Sequence, residues 1–204
     1  EPSPVKKAAI KNSIPVYEPQ RLKDPGFLEE LKRLTPDFIA VAAYGKILPE
    51  EILKMPPGGC INLHASLLPE YRGAAPVNRA VINGEAETGV STMLMDKGLD
   101  TGPVFLEERV NIPDNDTAGD LSKRLSVLGA PLLVKTIELV SSGKIRPTPQ
   151  DDSHASYAPP LKKEDGRINW NKTAGEIRNL IRGVYPWPGA YTHWKGIIIK
   201  IHSA

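Results

Sequence analysis

Asn62 and His64 stand two positions apart in "INLHASLLPEYRG", residues 61–73, a run that begins apolar and then breaks into a loop holding Pro69 and Gly73. Side chains alternate faces along a strand, so Asn62 and His64 share one face while Ile61 and Leu63 share the other. The apolar pair is the expected buried anchor. The polar pair is then presented together, about 6.6 Å apart along the strand, close enough to hold one small group between them. Asp100 lies on the Gly-flanked loop "DKGLDTG" after another apolar segment, and is expected at the same edge of the sheet, against the imidazole. Such a carboxylate fixes a histidine tautomer, and an Asn amide supplies an N–H suited to a developing oxyanion. An amide donor, an imidazole and a carboxylate suit acyl transfer to an external nucleophile. The bland alternative for Asn62 and His64 alone is a hydrogen-bonded pair at a strand end, and Asp100 is what tips the balance.

Other chemistries fit less well. Cys60 beside Asn62 and His64 raises a thiol hydrolase, but four strand residues put Cys60 about 13 Å from His64. A nucleophile and its base must meet at about 3 Å, so Cys60 is expected in the core. The loop "DKGLDTG" lacks the alternating acidic ligands of a calcium loop, no His/Cys cluster has zinc spacing, and no metal is expected. No dinucleotide fingerprint or P-loop is present. Tyr44, Gly45 and Lys46 read either as a turn or as a pocket wall whose backbone faces a flat ligand. Lys32–Arg33 and Lys162–Lys163 read as solvated surface. Trp170, Trp187 and Trp194 are expected in the core of a second domain.

These residues need elements to hold them. The 204 residues are 40% hydrophobic and 25% charged with a net charge of +2, which permits a polyanionic partner without demanding one. No run is apolar over a membrane-spanning length, so no membrane partner is expected, and one cysteine excludes an internal disulfide. Ser3 followed by Pro4 predicts a short helix to Ile10, "IPVYEP" an extended piece, and "DPGFLEELKRL" an amphipathic helix. "DFIAVAAYG" reads as a buried strand, "LPEEILKM" as a short helix, Cys60–His64 as a strand and "APVNRAVIN" as a helix. "TGVSTMLMD" and "TGPVFLEERVNI" read as strands around "DKGLDTG". Thr117 and Asp120 are spaced as the capping box of a long helix that Gly143 ends. The alternation predicts an α/β, Rossmann-like domain with a largely parallel sheet over residues 1–143. Four prolines in "GKIRPTPQDDSHASYAPPLKK" predict a linker at 144–162. A second domain then begins at 163, with "TAGEIRNLIRGV" helical and "GIIIKIHSA" a strand.

The stretch "INLHASLLPEYRGAAPVNRAVINGEAETGVSTMLMDKGLDTG" closely resembles the formyltetrahydrofolate-dependent formyltransferases, and their methionyl-tRNA branch in particular. It carries Asn62, His64, Ser66–Gly73 and Asp100 at the family's spacing. "VAAYGKILP" resembles the family's folate-pocket strand and loop, while "LKKEDGRINW" and "YPWPGAYT" resemble the opening of its C-terminal domain. The resemblance implies formyl transfer from the cosubstrate 10-formyltetrahydrofolate to the amine of initiator methionyl-tRNA. It makes Asn62, protonated His64 and Asp100 the catalytic set. The implied folate contacts are Tyr44, Gly45, Lys46, Ile47, Leu48 and Pro49, then Ser66, Leu67, Leu68 and Pro69, then Met95, Asp96, Lys97, Gly98 and Leu99. A cytoplasmic monomer is expected. The resemblance also implies that the family's first strand and helix would precede Glu1, and that most of an OB-like barrel would follow Ala204. Aminosugar formyltransferases, formyltetrahydrofolate dehydrogenase or hydrolase domains, and a non-catalytic RNA-binding fragment are the alternatives.

Overall fold

Local chemistry sets the helix starts in the computed structural model, which describes residues 2–204. Ser3 and Asp24 each offer a side-chain oxygen to a first-turn N–H, with proline next, and open α1 (Pro4–Lys11) and α2 (Pro25–Arg33). Then come β1 (Ile39–Ala42), α3 (Glu50–Leu53), β2 (Cys60–His64), β3 (Arg72–Gly73), α4 (Pro76–Asn83), β4 (Glu87–Leu94) and β5 (Val104–Asn111). Thr117 and Asp120 cap each other reciprocally to open α5 (Ala118–Ser141). The chain ends with β6 (Tyr157–Ala158), α6 (Ala174–Gly183), β7 (Ala190–Trp194) and β8 (Ile197–Ile201).

Four strands form the main sheet in the order β1-β2-β4-β5. The α/β class stands, and within this sheet β1 runs parallel to β2, the two being joined through α3. β2 with β4, and β4 with β5, run antiparallel. This changes how Asp100 reaches the site. Ile61 pairs with Leu94 and His64 with Ser91, so the end of β4 lies beside the start of β2. The expectation that both strands end at one edge therefore fails. Residues 95–103 instead double back along β2 and deliver Asp100 to its other end.

Packing fixes which face of β2 carries chemistry. Residues opposite each other in an antiparallel pair share a face, so Leu63 joins Thr92, and Asn62 and His64 join Met93 and Ser91. The first face lies under α5. There Thr92 meets Thr136 at 2.8 Å, and Leu63 packs so close to Gly129 that a Cβ at that glycine would be 2.6 Å from it. The second face is covered by the segment after His64: Ser91 Oγ donates to Ser66 O at 2.7 Å and accepts from Leu68 N at 3.1 Å. With both faces covered, β4 is buried from Thr88 to Met93.

Two expectations need correction, and the linker follows a definite course. "DFIAVAAYG" is an edge strand, with Val41 buried and Ala40 and Ala42 exposed. The 144–162 stretch is bonded to the domain along its course. Thr148 bridges Val104 and β6 pairs with β3, which satisfy backbone groups that a free linker would leave to water. Trp170, Trp187 and Trp194 are 60%, 55% and 43% exposed rather than core. The two-stranded β7–β8 hairpin, turned at Lys195–Gly196 with both φ positive, is too small to enclose three indoles. The second region's core is Ile168, Ile181, Val184 and Ala190, packed with Ile82 of α4. Asn78 adds a 2.8 Å hydrogen bond to Gly183 O.

Candidate active site

Asp100 is the centre of the site, with its side chain 13% exposed. Its φ of +53° is rare for a residue other than glycine, and it turns the carboxylate back toward β2. Asn62 Nδ2 donates to Oδ1 at 3.3 Å, and the backbone N–H of Gly73 donates to Oδ2 at 2.9 Å. His64 Nδ1 stands 3.6 Å from the same Oδ2, in ion-pair range but long for a hydrogen bond. The structure thus brings together the three residues that the sequence singled out. Gly73 is the partner that sequence reasoning passed over. Its φ of +117° belongs to glycine, and a Cβ there would lie 2.8 Å from Ala158 O.

The imidazole is placed differently from the simplest expectation. His64 is 5% exposed, and its Nε2 lies 2.9 Å from Tyr71 O. A carbonyl only accepts, so Nε2 carries a proton committed to the protein. The other nitrogen faces Asp100. Neither ring nitrogen presents an N–H outward, and Nδ1 donates to the carboxylate only when the ring is protonated. Asn62 differs: a side-chain amide has two N–H groups, and Asp100 takes only one of them.

The residues implied as folate contacts fall into two groups. Tyr44 and Ile47 are 43% and 81% exposed, Lys46 is exposed, and Gly45 turns the loop at φ +69°. Leu48 and Pro49 close that loop into the core beside Val41 and Ile52. Lys97 Nζ reaches Glu50 Oε2 at 3.0 Å, tying the 95–99 segment to the helix that follows Pro49. Within that segment Met95 packs against the same core, Asp96 accepts from Gly98 N and Thr101, and Leu99 is 48% exposed. The second segment runs directly into Asp100, and the first follows β1, whose Ala42 is paired with Leu63 between Asn62 and His64.

Ser66–Pro69 is held elsewhere. Ser66 is fully buried and donates its hydroxyl to Glu70 O at 2.6 Å, so its side chain offers a ligand nothing. Leu67 packs on Gly89, and Leu68 and Pro69 line a cleft of about 370 Å³ with Val104–Glu107 and Thr148–Asp151. Cys60 is 1% exposed, and burial pushes its thiol up to about 11, the state of an inert core cysteine. The thiol alternative ends there. Among the described residues no three His, Cys, Asp or Glu side chains gather as a metal would require.

Comparison with known proteins finds matches along most of the chain. Residues 1–137 match the family model described as formyl transferase, and residues 160–204 match the formyl transferase C-terminal domain. A methionyl-tRNA formyltransferase of Pelotomaculum thermopropionicum is 56% identical over 203 residues, covering 100% of this chain and 64% of that protein. That of Thermodesulfovibrio yellowstonii is 54% identical, covering 97% and 64% respectively. The chain thus spans a little under two thirds of these curated relatives. Among solved structures, a methionyl-tRNA formyltransferase from Clostridium thermocellum superposes with a TM-score of 0.72 at 21% identity, covering 96% of this chain and 89% of that one. A sugar N-formyltransferase from a Shewanella species reaches 0.77 at 20% identity, covering 95% and 78%. At such identities the structures speak for the fold alone.

Proposed function

Because the chain belongs to the formyl transferase family, we propose that its protein moves a formyl group from 10-formyltetrahydrofolate to the amine of initiator methionyl-tRNA, for translation initiation. The observation that carries this reading is the convergence of Asn62 and the Gly73 N–H on the Asp100 carboxylate, with His64 behind it. The acceptor is inferred from relatives named methionyl-tRNA formyltransferase at 54% and 56% identity.

In the proposed reaction the amine attacks the formyl carbon and the carbonyl oxygen becomes an oxyanion. The free N–H of Asn62 donates to that oxygen, in a partly buried site where such a bond counts for more than in water. Asp100 accepts the proton that the amine loses and passes it to N10 as the carbon–nitrogen bond breaks. The products are formylmethionyl-tRNA and tetrahydrofolate. His64 acts beside Asp100 as the protonated imidazole, its Nε2–H donating to Tyr71 O and its Nδ1–H facing Oδ2. The pterin is proposed to lie between Tyr44–Pro49 and Met95–Leu99, supported by the exposed Tyr44, Ile47 and Leu99 on two segments tied by the Lys97–Glu50 ion pair. No metal takes part. A cytoplasmic monomer belongs to the same proposal. No helix among the described residues is long and apolar enough to cross a membrane.

The test supplies the complete gene product with 10-formyltetrahydrofolate and either methionyl-tRNA or a nucleotide-linked aminosugar. Formylmethionyl-tRNA is the expected product. Formylation of the sugar alone would overturn the acceptor, and no transfer to either would overturn the transferase reading.

A further inference from the structure

Gln150 lies in the stretch that joins the two parts of the chain, with exposed Pro149 and Asp151 on either side. Its side chain nevertheless uses its whole hydrogen-bonding capacity. Nε2 donates to Asp100 O at 2.9 Å and to Gly102 O at 2.6 Å. Oε1 accepts from Arg72 Nε at 3.0 Å and from the same guanidinium's Nη2 at 2.7 Å. Two carbonyls can only accept and a guanidinium can only donate, so the amide has one possible orientation. A primary amide offers two N–H groups and two lone pairs, and all four are engaged.

The two ends of this contact bear on one carboxylate. Asp100 holds a left-handed backbone conformation at φ +53°, which is strained for a non-glycine residue and persists only where neighbours enforce it. Gln150 grips the carbonyl of Asp100 itself and that of Gly102 two residues on. Its other end holds Arg72, and the next residue, Gly73, gives the N–H that fixes Asp100 Oδ2. One amide therefore ties the backbone that aims the carboxylate to the backbone that receives it. Asp152 also binds Arg72 at 2.7 Å, but it is 82% exposed and touches neither carbonyl.

We propose that Gln150 is a positioning residue for formyl transfer, setting the direction of the Asp100 carboxylate from a segment outside the catalytic sheet. The proposal rests on the formyl-transfer reading above. Two variants test it in the complete gene product, each compared with wild type for kcat, KM and thermal midpoint. Gln150→Glu keeps an acceptor for Arg72 but sets a carboxylate against two carbonyls. Gln150→Met keeps the length and loses every hydrogen bond.

Both variants should lower kcat at least tenfold, with KM for the folate within about threefold of wild type and little change in midpoint. Asp152→Asn, which weakens only the exposed ion pair, should stay within twofold. In an Asp100→Ala background, Gln150→Met should cost less than a further twofold, because a residue acting through Asp100 has nothing left to position. A kcat near wild type in both variants overturns the proposal, and so does a full, independent loss in the Asp100→Ala background. Loss of the folded state in both makes Gln150 a strut of the fold and overturns it as well. An inactive wild type would instead count against the formyl-transfer reading, so the two failures are distinguishable.

Discussion

The Asp100 loop and the Tyr44–Ile47 loop are built on opposite principles. Around Asp100 the polar atoms are engaged: the carboxylate takes donors from Asn62 and Gly73, and its own carbonyl takes one from Gln150. Around Tyr44 there is a positive-φ glycine and an isoleucine left 81% exposed. The first loop is organised before any ligand arrives, which suits charge that must be met at a fixed point. The second offers apolar surface whose burial becomes favourable only when a flat ligand covers it. Geometry is stored in one loop and binding surface in the other.

The largest expected effect is at the organised loop. Asn62→Ala or Asp100→Ala should each lower kcat about 10²-fold or more, as for loss of an oxyanion donor or a general acid–base. The double variant should lose little more than either single one, since the two act on one reacting group. Steady-state kinetics on all three decides it, and multiplied losses would show that the residues act separately.

At the exposed loop the pattern should invert. Burial of an isoleucine side chain contributes about 1.5–3 kcal/mol, so Ile47→Ala should weaken folate binding about tenfold and leave kcat near wild type. Titration with tetrahydrofolate measures this. A fall in kcat with unchanged affinity would break the division between the two loops.

Away from both loops only stability should move. Thr117 caps α5, the helix under which Leu63 and Thr92 pack, and Thr117→Ala should cost about 1 kcal/mol of unfolding free energy with turnover unchanged. Denaturant titration gives the value.

The smallest effect on activity is expected at Cys60, which lies in the same strand as Asn62 and His64. Cys60→Ala should keep turnover within about twofold, as expected of a small buried hydrophobe. The native thiol, held near 11 by burial, should resist alkylation at pH 8 and react once the chain is denatured. Linkage gives a sign to its pH dependence. The raised pKa leaves stability untouched below the unfolded value near 8.5 and reduces it as pH climbs toward 11, because only the unfolded chain releases the proton there. Mass spectrometry of alkylated protein, and unfolding curves from pH 8 to 11 compared with Cys60→Ala, check both statements.

The sequence alone determined what local rules control. Ser3 and Thr117 announced their helices because an N-cap needs only a side chain and the next few backbone amides. The two-residue period of β2 put Asn62 and His64 on one face, and the motif they share with Asp100 pointed to acyl transfer. Pairing direction is a different matter, since it depends on which strands meet. The antiparallel β2–β4 pair, and the doubling back of 95–103 that it forces, were therefore absent from any local window. Exposure likewise depends on what covers a residue. Trp170, Trp187 and Trp194, which the sequence reading would bury, lie open around a two-stranded hairpin, and Ala40 and Ala42 are exposed on β1. Gln150 shows the limit most clearly. Its neighbours in sequence read as a proline-rich connector, and its partners Arg72, Asp100 and Gly102 come from segments 48–78 positions away. Only the folded chain brings four hydrogen-bonding groups to one amide, because their convergence is a property of tertiary packing that no stretch of sequence carries by itself.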